Sequence, residues 1–280
     1  MMSRSLDRQH LLLRAALGLL VFLTSLGLAA AQQKISTSLP FARGEQLVYQ
    51  AELNRGVFRG FDVGEIRFSA RPTTDTGTGQ VLNLVGDAVS KGLLIRLSGN
   101  RFHIHIESRA GAQPFAVLQT KGLYEDKRTT INSEAVYDHT AQKAIWKQTE
   151  RDKKPDAKTL SFSDPVHDVL TLIYFVRTQN LQPGQSFEVA MVDAGRTYRC
   201  VVNVVAGKKM NTAVGRVNTI TVEPAIFDGE REVRPRGALT ISMTDDARHL
   251  PVKAQVKSNL GTIDIKLKRV SYRDADIAQN

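Results

Sequence analysis

Apolar and polar residues alternate along most of this chain, as they do in strands that bury one face of a sheet. The first such run places Leu47, Tyr49 and Ala51 on one side and polar residues on the other. A second run, over residues 61–70, is interrupted at Gly64, where a β-bulge would keep the apolar residues on one face. Further strands are predicted over residues 80–89, 93–106, 115–124, 128–138, 142–148, 186–193, 196–206, 216–225, 237–244, 250–257 and 261–271.

Turn-forming residues separate these runs at short intervals and join them into one domain. Many short strands with turns between them predict a mainly β fold. The expected form is a single antiparallel curved sheet or a barrel or half-barrel, since closure removes exposed strand edges. The domain is predicted to span residues 41–271. A flexible tail is predicted over residues 272–280, which have no apolar face to bury.

One segment has helical rather than strand periodicity. Asp164 is suited to cap a helix and Pro165 to occupy its first turn, because Asp accepts free backbone N–H groups and Pro lacks one. Val166, Val169 and Ile173 then follow helical spacing. The pattern predicts one helix over about residues 165–180, which would cover one end or the open side of the curved sheet.

The first 31 residues have the composition of a secretory signal peptide. Arg4, Arg8 and Arg14 precede an apolar run over residues 15–28, and three alanines at 29–31 offer a cleavage site. An uncleaved membrane anchor is the alternative, but a spanning helix needs about 20 apolar residues and this run is shorter. Cleavage after Ala31 is therefore predicted. The product would be periplasmic or secreted, with no further transmembrane span.

The charge of the chain is basic but dispersed. Its formal net charge is +10, yet Lys and Arg are interleaved with acids and aromatic residues make up only 6% of the chain. Proteins that bind nucleic acid usually concentrate basic charge on one face, often beside stacking aromatics, so no nucleic-acid partner is expected. Anionic lipid headgroups or cell-wall polymers fit this charge better. The single cysteine, Cys200, excludes an intramolecular disulfide and is expected to be buried.

Five short motifs occur in the same order as in a known family. The motifs are F-x-x-G-E-x-L-x-Y at residues 41–49, D-x-L-T-x-x-Y-x-x-R at 168–177, L-x-P-G at 181–184, D-D-x-R-x-L-P-V at 245–252 and the strand 261–267. In this arrangement the chain resembles domain-of-unknown-function family 3108, with Thr171 in place of a serine. The resemblance implies an exported bacterial β-rich domain. It implies no established activity, so it transfers no catalytic residue.

The resemblance also singles out polar and turn positions as structural. These are Gly44, Glu45, Tyr49, Asp168, Tyr174, Arg177, Asp245, Asp246, Arg248 and Pro251. We expect Arg177 to form a buried ion pair with either Glu45 or Asp168, where the helix meets the first strand. Breaking such a pair from one side is costly, because the remaining charge stays buried without a partner.

One strand carries a candidate metal site. On an extended strand the alternate residues His103, His105 and Glu107 would project from the same face. Two imidazoles and a carboxylate suit a divalent transition metal. The alternative is that Phe102, Ile104 and Ile106 form the buried face and that the polar residues are simply the side in contact with water.

Two further clusters contain catalytic residue types. Asp245, Asp246 and His249 could act as acid and base, but paired Asp residues between two strands are also typical of a hairpin turn. The second cluster has the residue types of a hydrolase triad but lacks a nucleophile elbow, so Asp164 is interpreted as a cap and His167 as a surface residue. It consists of Ser161, Ser163, His167 and Asp168. The chain has no nucleotide, zinc-protease or dithiol motif, so no cofactor is predicted.

These observations leave three hypotheses about function. The first is a non-enzymatic protein of the cell envelope whose curved sheet binds a lipid or another apolar ligand, since the mouths of barrels are common ligand sites. The second is a hydrolase or metal-dependent enzyme that acts on an envelope polymer. The third is a scaffold that binds another envelope protein. No catalytic residue is assigned.

Overall fold

The computed structural model describes residues 39, 41, 44–56, 58–75, 79–92, 95, 99, 101–163, 165–258 and 261–272. All of them belong to one compact unit that begins at residue 39. The predicted signal peptide with its cleavage site, the predicted cap Asp164 and the tail after Tyr272 lie outside the described residues. Among the described residues, no helix is long and apolar enough to cross a membrane.

The first half of the described chain is an antiparallel meander of eight strands. Its strands are β1 (Glu45–Arg55), β2 (Phe58–Asp75), β3 (Gly79–Ser90), β4 (Phe102–Ala112), β5 (Phe115–Asp126), β6 (Thr130–Asp138), β7 (Lys143–Glu150) and β8 (Asp156–Ser161). Each strand pairs with the next one along the chain. Inward residues alternate with outward residues along these strands, which explains the period-two pattern of the sequence.

The second half contains the helix and the remaining strands. They are β9 (Val166–His167), α1 (Val169–Val176), β10 (Ser186–Asp193), β11 (Arg196–Ala206), β12 (Met210–Thr212), β13 (Gly215–Val217), β14 (Thr219–Asp228), β15 (Arg231–Arg234), β16 (Leu239–Thr244), β17 (Pro251–Ser258) and β18 (Gly261–Tyr272). The pair β12–β13 forms a separate small hairpin. All the other strands belong to the large sheet.

One 16-stranded sheet joins the two halves. The pairing of β1 with β18 connects them, so the sheet runs β8 through β1, then β18, β17, β16, β14, β11, β10 and β9, with β15 beside β14. The pairs are antiparallel except β9 with β10. The sheet is strongly curved. Among the described strands its two end strands, β8 and β9, do not pair with each other, so it is not closed into a barrel. The predicted fold class, a mainly β curved sheet with a helix packed on it, is confirmed.

The two edges of the sheet approach each other through side chains and turns. Trp146 and Phe162 from one edge pack in a buried cluster with Val166 and Val192 from the other. The turn between β10 and β11 lies so close that a Cβ atom on Gly195 would be 2.8 Å from the Trp146 ring. This contact requires glycine, and Gly195 also has a positive φ of 71°. The curvature therefore encloses an interior, and α1 packs against the side chains that face it.

The helix is shorter than predicted and starts later. Its N-cap is Asp168, and Val166–His167 form strand β9 beside Ala190–Met191. The prediction that Pro165 lies in the first helical turn is therefore wrong. Ladder hydrogen bonds and burial of Val166 stabilise the extended conformation here, which local helical spacing did not reveal.

Other differences concern strand limits. Ile95 and Arg101 lie outside any strand and β4 begins at Phe102, so the predicted strand over 93–106 is shifted. Strands β8, β9, β12 and β15 were not predicted, because each is short or mostly exposed. The predicted strand over 216–225 is divided between β13 and β14. The predicted bulge in β2 is confirmed, since Ala51 pairs with Gly64 and Glu52 pairs with Asp62.

Candidate functional site

An apolar cavity lies between α1 and the inner face of the curved sheet. Its volume is about 390 Å³, within the range of about 300–1,000 Å³ for small-molecule sites. Side chains from the helix and from nine strands line it. The apolar side chains of the wall include Ile66, Phe68, Leu172, Ile173, Met191, Ile226, Leu239, Ile241, Ala254, Val256 and Ile265. The wall is therefore mostly apolar.

The helix is apolar on all sides and divides its side chains between two environments. Leu170 and Tyr174 are buried in a core cluster with Phe41, Leu82 and Leu84. The other side of the helix faces the cavity, where Val169 is 40% exposed and Leu172 and Ile173 are half-buried. A helix that is hydrophobic all round is normally buried. Leu172 packs against a core cluster, yet this side of the helix stays partly exposed to the cavity.

Two charged side chains line this cavity among the described residues, Asp193 at the end of β10 and Arg234 at the end of β15. Arg234 is half-buried and forms no ion pair with a described residue. Desolvation raises the pKa of Asp193, and the nearby Asp168 carboxylate raises it further. Cys200 is fully buried on the cavity wall, and burial raises the pKa of its thiol to about 11, so the thiol is protonated and unreactive.

A buried ion pair attaches the helix to the start of β1. The guanidinium of Arg177, at the C-terminal end of α1, donates to both carboxylate oxygens of Glu45 at 2.6 and 2.9 Å, and both side chains are fully buried. Burial alone would lower the pKa of Arg177, but the bonds to Glu45 outweigh it and raise the pKa. Glu45, and not Asp168, is the partner of Arg177.

The same arginine also holds the turn that follows β16. Its Nε donates to the carbonyl of Arg248 at 3.2 Å, and its own carbonyl accepts a bond from His249 Nδ1 at 3.0 Å. The guanidinium lies over the rings of Phe41 and Tyr174, 5.0 and 5.4 Å from their centroids. Three distant parts of the sequence therefore meet at Arg177.

Asp168 fixes the other end of the helix. Its Oδ1 accepts from the backbone N–H of Thr171 at 2.7 Å, and Thr171 Oγ1 accepts from the backbone N–H of Asp168 at 2.9 Å, which forms a capping box. Its Oδ2 accepts from the hydroxyls of Ser108 and Thr120, both at 2.5 Å. The buried carboxylate thus ties α1 to β4 and β5.

The residues 245–249 form a turn and not an acid–base cluster. The Asp246 carboxylate accepts from Thr244 Oγ1 at 2.7 Å and from the backbone and guanidinium of Arg248. His249 has a positive φ of 40° and directs its ring to the Arg177 carbonyl. Next to this turn, Tyr49 donates its hydroxyl to the carbonyl of Pro251 at 2.9 Å. These contacts support a structural role.

The candidate triad is not assembled. Ser161 and Ser163 are exposed, whereas His167 is fully buried between the rings of Phe115 and Phe175, 6.0 and 4.3 Å from their centroids. The prediction that His167 is a surface residue is therefore wrong. Its place on β9, with an aromatic ring on each side, accounts for the burial.

The histidine strand has the predicted alternation, with a different carboxylate between the imidazoles. Asp87 on β3 lies opposite His105, and its Oδ1 is 2.7 Å from His105 Nδ1 and 3.3 Å from His103 Nε2. Glu107 contacts the other ring nitrogen of His105, at 3.0 Å. The bond from Asp87 raises the pKa of His105. Partial burial would raise the pKa of Asp87, but the two imidazoles outweigh it and lower the pKa. Phe102, expected on the buried face, is 37% exposed.

Sequence reasoning missed three residues of these sites. Asp87 is absent from the predicted metal ligands because it lies on the neighbouring strand. The periodicity of the sequence does not reveal the register between two strands. Asp193 and Arg234 lie near strand ends and enter the cavity only through the curvature of the sheet. A charged residue directly after the apolar run 189–192 of β10 is the signal that would have marked Asp193.

One solved structure has a similar overall architecture. A beta-barrel-like protein of the domain-of-unknown-function family DUF1849 from Brucella abortus has 11% sequence identity and a TM-score of 0.51, over 83% of this chain and 98% of its own. A protein with a YmcC-like fold from Bacteroides fragilis has 8% identity and a TM-score of 0.32, over the same shares of the two chains. No curated protein matches the chain in sequence. A family model described as protein of unknown function (DUF3108) matches residues 48–268, which confirms the expected resemblance: the chain belongs to the DUF3108 family.

Proposed function

We propose that this protein binds the aliphatic chain of an amphiphile, such as a lipid or fatty acid, in the cavity between α1 and the sheet. The observation that carries the proposal is the wall of half-buried aliphatic side chains that α1 and the sheet turn toward one cavity of about 390 Å³. Contiguous apolar surface that folding leaves partly exposed is typical of a binding site. Filling it would remove that surface from water, which contributes about 25 cal/mol of favourable free energy per Å² of apolar surface buried.

Arg234 supports an anionic headgroup on this ligand. It is the one basic side chain among the described residues of the cavity wall, and no described residue forms an ion pair with it. A guanidinium suits a carboxylate or a phosphate, because both accept two parallel hydrogen bonds from it.

The proposed setting is the periplasm or the outside of the cell. This part of the proposal depends on the predicted signal peptide in residues 1–31 and on the basic charge of the chain. A carrier or sensor of amphiphiles in the envelope would need no catalytic group. An envelope protein that inserts an apolar segment into the same cavity is the competing occupant.

Native mass spectrometry of the chain purified without detergent tests for a bound amphiphile, and calorimetric titration with dodecanoate and dodecanol measures binding. We expect saturable 1:1 binding of dodecanoate. Ala254→Phe, which adds a ring to the cavity wall, should weaken it at least about tenfold, since an overfilled site excludes the chain. Thr240→Phe is the matched control, because Thr240 precedes the cavity residue Ile241 and so points to the outer face.

The headgroup is tested in the same titrations. Arg234→Gln should weaken dodecanoate about tenfold or more and change dodecanol little, because a hydrogen bond to a charged group contributes about 1.5–3 kcal/mol. Equal binding by the wild type and by Ala254→Phe would contradict the cavity as the site. If Arg234→Gln weakens the binding of dodecanoate and dodecanol equally, the role of Arg234 with an anionic headgroup is contradicted, but the cavity as the binding site is not.

A further inference from the structure

We infer that the outer face of the sheet carries a site for a divalent transition-metal ion, with Asp87, His103 and His105 as its protein ligands. The site lies on β3 and β4, on the side of the sheet opposite the apolar cavity. It is independent of the proposed amphiphile binding.

Strand pairing brings the three side chains together. His103 and His105 are two residues apart on β4 and therefore project from the same face. Asp87 pairs directly with His105 across the β3–β4 ladder, and Val89 pairs with His103. The rigid ladder thus holds two imidazoles and one carboxylate in adjacent positions. A site on strands needs little ordering when an ion binds.

The potential ligand atoms converge. One oxygen or nitrogen from each side chain lies within 4.8 Å of the others. The Oδ1 atom of Asp87 is 2.7 Å from His105 Nδ1 and 3.3 Å from His103 Nε2. Ligand atoms that share one ion at about 2.0–2.2 Å are roughly 3–4 Å apart, so small rotations of the side chains suffice.

The far nitrogens of both imidazoles face carboxylates, which is an independent indication of a metal site. Glu107 Oε1 lies 3.0 Å from His105 Nε2, and Glu125 Oε2 lies 3.8 Å from His103 Nδ1. Glu125 on β5 pairs directly with His103. Histidines that ligate a metal commonly donate their other N–H to a carboxylate, which fixes the tautomer and aims the free nitrogen at the ion.

The chemistry of the ligands selects the class of ion. Two imidazole nitrogens and one carboxylate oxygen favour Zn²⁺, Cu²⁺, Ni²⁺ or Fe²⁺ over Mg²⁺ and Ca²⁺, which prefer oxygen ligands. Each of the three side chains is 30–38% exposed, so solvent reaches the ion and fills its remaining positions. The carboxylates of Asp87, Glu107 and Glu125 also supply negative charge that a cation would neutralise.

Isothermal titration of the purified chain with ZnCl₂ tests the site, with histidine ring signals followed by NMR. We expect one saturable site, and shifts at His103 and His105 but not at His139. Asp87→Ala and His105→Ala should each weaken binding at least about a hundredfold. Glu107→Gln should weaken it about tenfold, as loss of an outer carboxylate does.

The control variants are His139→Ala and Glu134→Gln. His139 contacts the Val117 carbonyl and Glu134 accepts from Gln119, both outside the cluster. Neither variant should change zinc affinity. Absence of saturable heat in the wild type would overturn the inference, and so would unchanged affinity in Asp87→Ala or His105→Ala. Melting curves recorded in EDTA check that each variant is folded. We expect the variants to fold, because the substituted side chains are partly exposed.

Discussion

At the scale of single residues, the inner side of the sheet contains a fully buried ion pair between Glu45 and Arg177. Removing two charges from water is costly, and their mutual attraction offsets this cost only where the geometry is good. Here the pair is bidentate, and Nε of the arginine also donates to the Arg248 carbonyl. The arrangement therefore satisfies three of the five N–H groups of the guanidinium.

Arg177→Ala and Glu45→Ala should each lower the free energy of unfolding by about 3–5 kcal/mol, because each leaves a buried charge without a partner. The double variant should lose much less than the sum of the two single losses. Urea denaturation of the three variants measures both quantities in a double-mutant cycle.

The exposed pair Arg199–Glu188 is the matched control, since its distance is also short at 2.8 Å. Its side chains are 42% and 60% exposed, so either alanine variant should cost at most about 1 kcal/mol. Equal losses at the two pairs would show that burial does not determine the contribution of Glu45–Arg177.

Asp246 provides a test by pH at the same scale. Partial burial would raise its pKa, but bonds from Arg248 and Thr244 outweigh it and lower the pKa. A depressed folded pKa stabilises the protein above the unfolded value of about 3.9, and this contribution is lost as the pH falls through the folded value.

Asp246→Asn should therefore be less stable than the wild type by at most about 1 kcal/mol at pH 7, because the carboxylate is 40% exposed. The difference should shrink below about pH 4, where the wild-type carboxyl becomes protonated. Urea unfolding at several pH values measures it. A difference that is the same at pH 7 and pH 3 would contradict the assignment.

At the scale of elements, the start of α1 shows how tertiary contacts determine a boundary. The local sequence favours Asp164 and Pro165 as cap and first turn, yet Val166–His167 pair with β10 and the helix begins after Asp168. The capping pair Asp168 and Thr171 is visible in the sequence. The hydroxyls of Ser108 and Thr120, which fix the carboxylate, come from strands that are distant in sequence and could not be assigned from it.

Asp168→Ala should lower the free energy of unfolding by about 2–4 kcal/mol, since it removes an N-cap and leaves two hydroxyls without their acceptor. Hydrogen exchange of the α1 amides should also become faster. Denaturation and exchange mass spectrometry measure the two effects. Asp138→Ala, which removes an exposed bond to the Ala141 N–H, should cost at most about 1 kcal/mol. Comparable losses in the two variants would argue against the anchoring role of Asp168.

At the scale of the whole molecule, periodicity predicted the fold class and most strands but not their arrangement. The alternation of apolar residues specifies which face of a strand is buried, and turns specify its neighbours along the chain. The pairing of β1 with β18 joins residues more than 200 positions apart, and local pattern does not contain it. The same reason applies to the sites: His103 and His105 share a face within one strand, whereas Asp87 enters through strand pairing.

The pairing of β1 with β18 also has a consequence for how freely the chain could be reordered. Glu45, the first residue of β1, lies opposite Tyr272, the last residue of β18, so the start of the first strand is next to the end of the last strand. A short linker could connect them, and new termini could be opened in the exposed turn at Thr140–Ala141 between β6 and β7. In such a circular permutant every pair of neighbouring strands would keep its ladder, because the sheet depends on which strands meet and not on which strand is synthesised first.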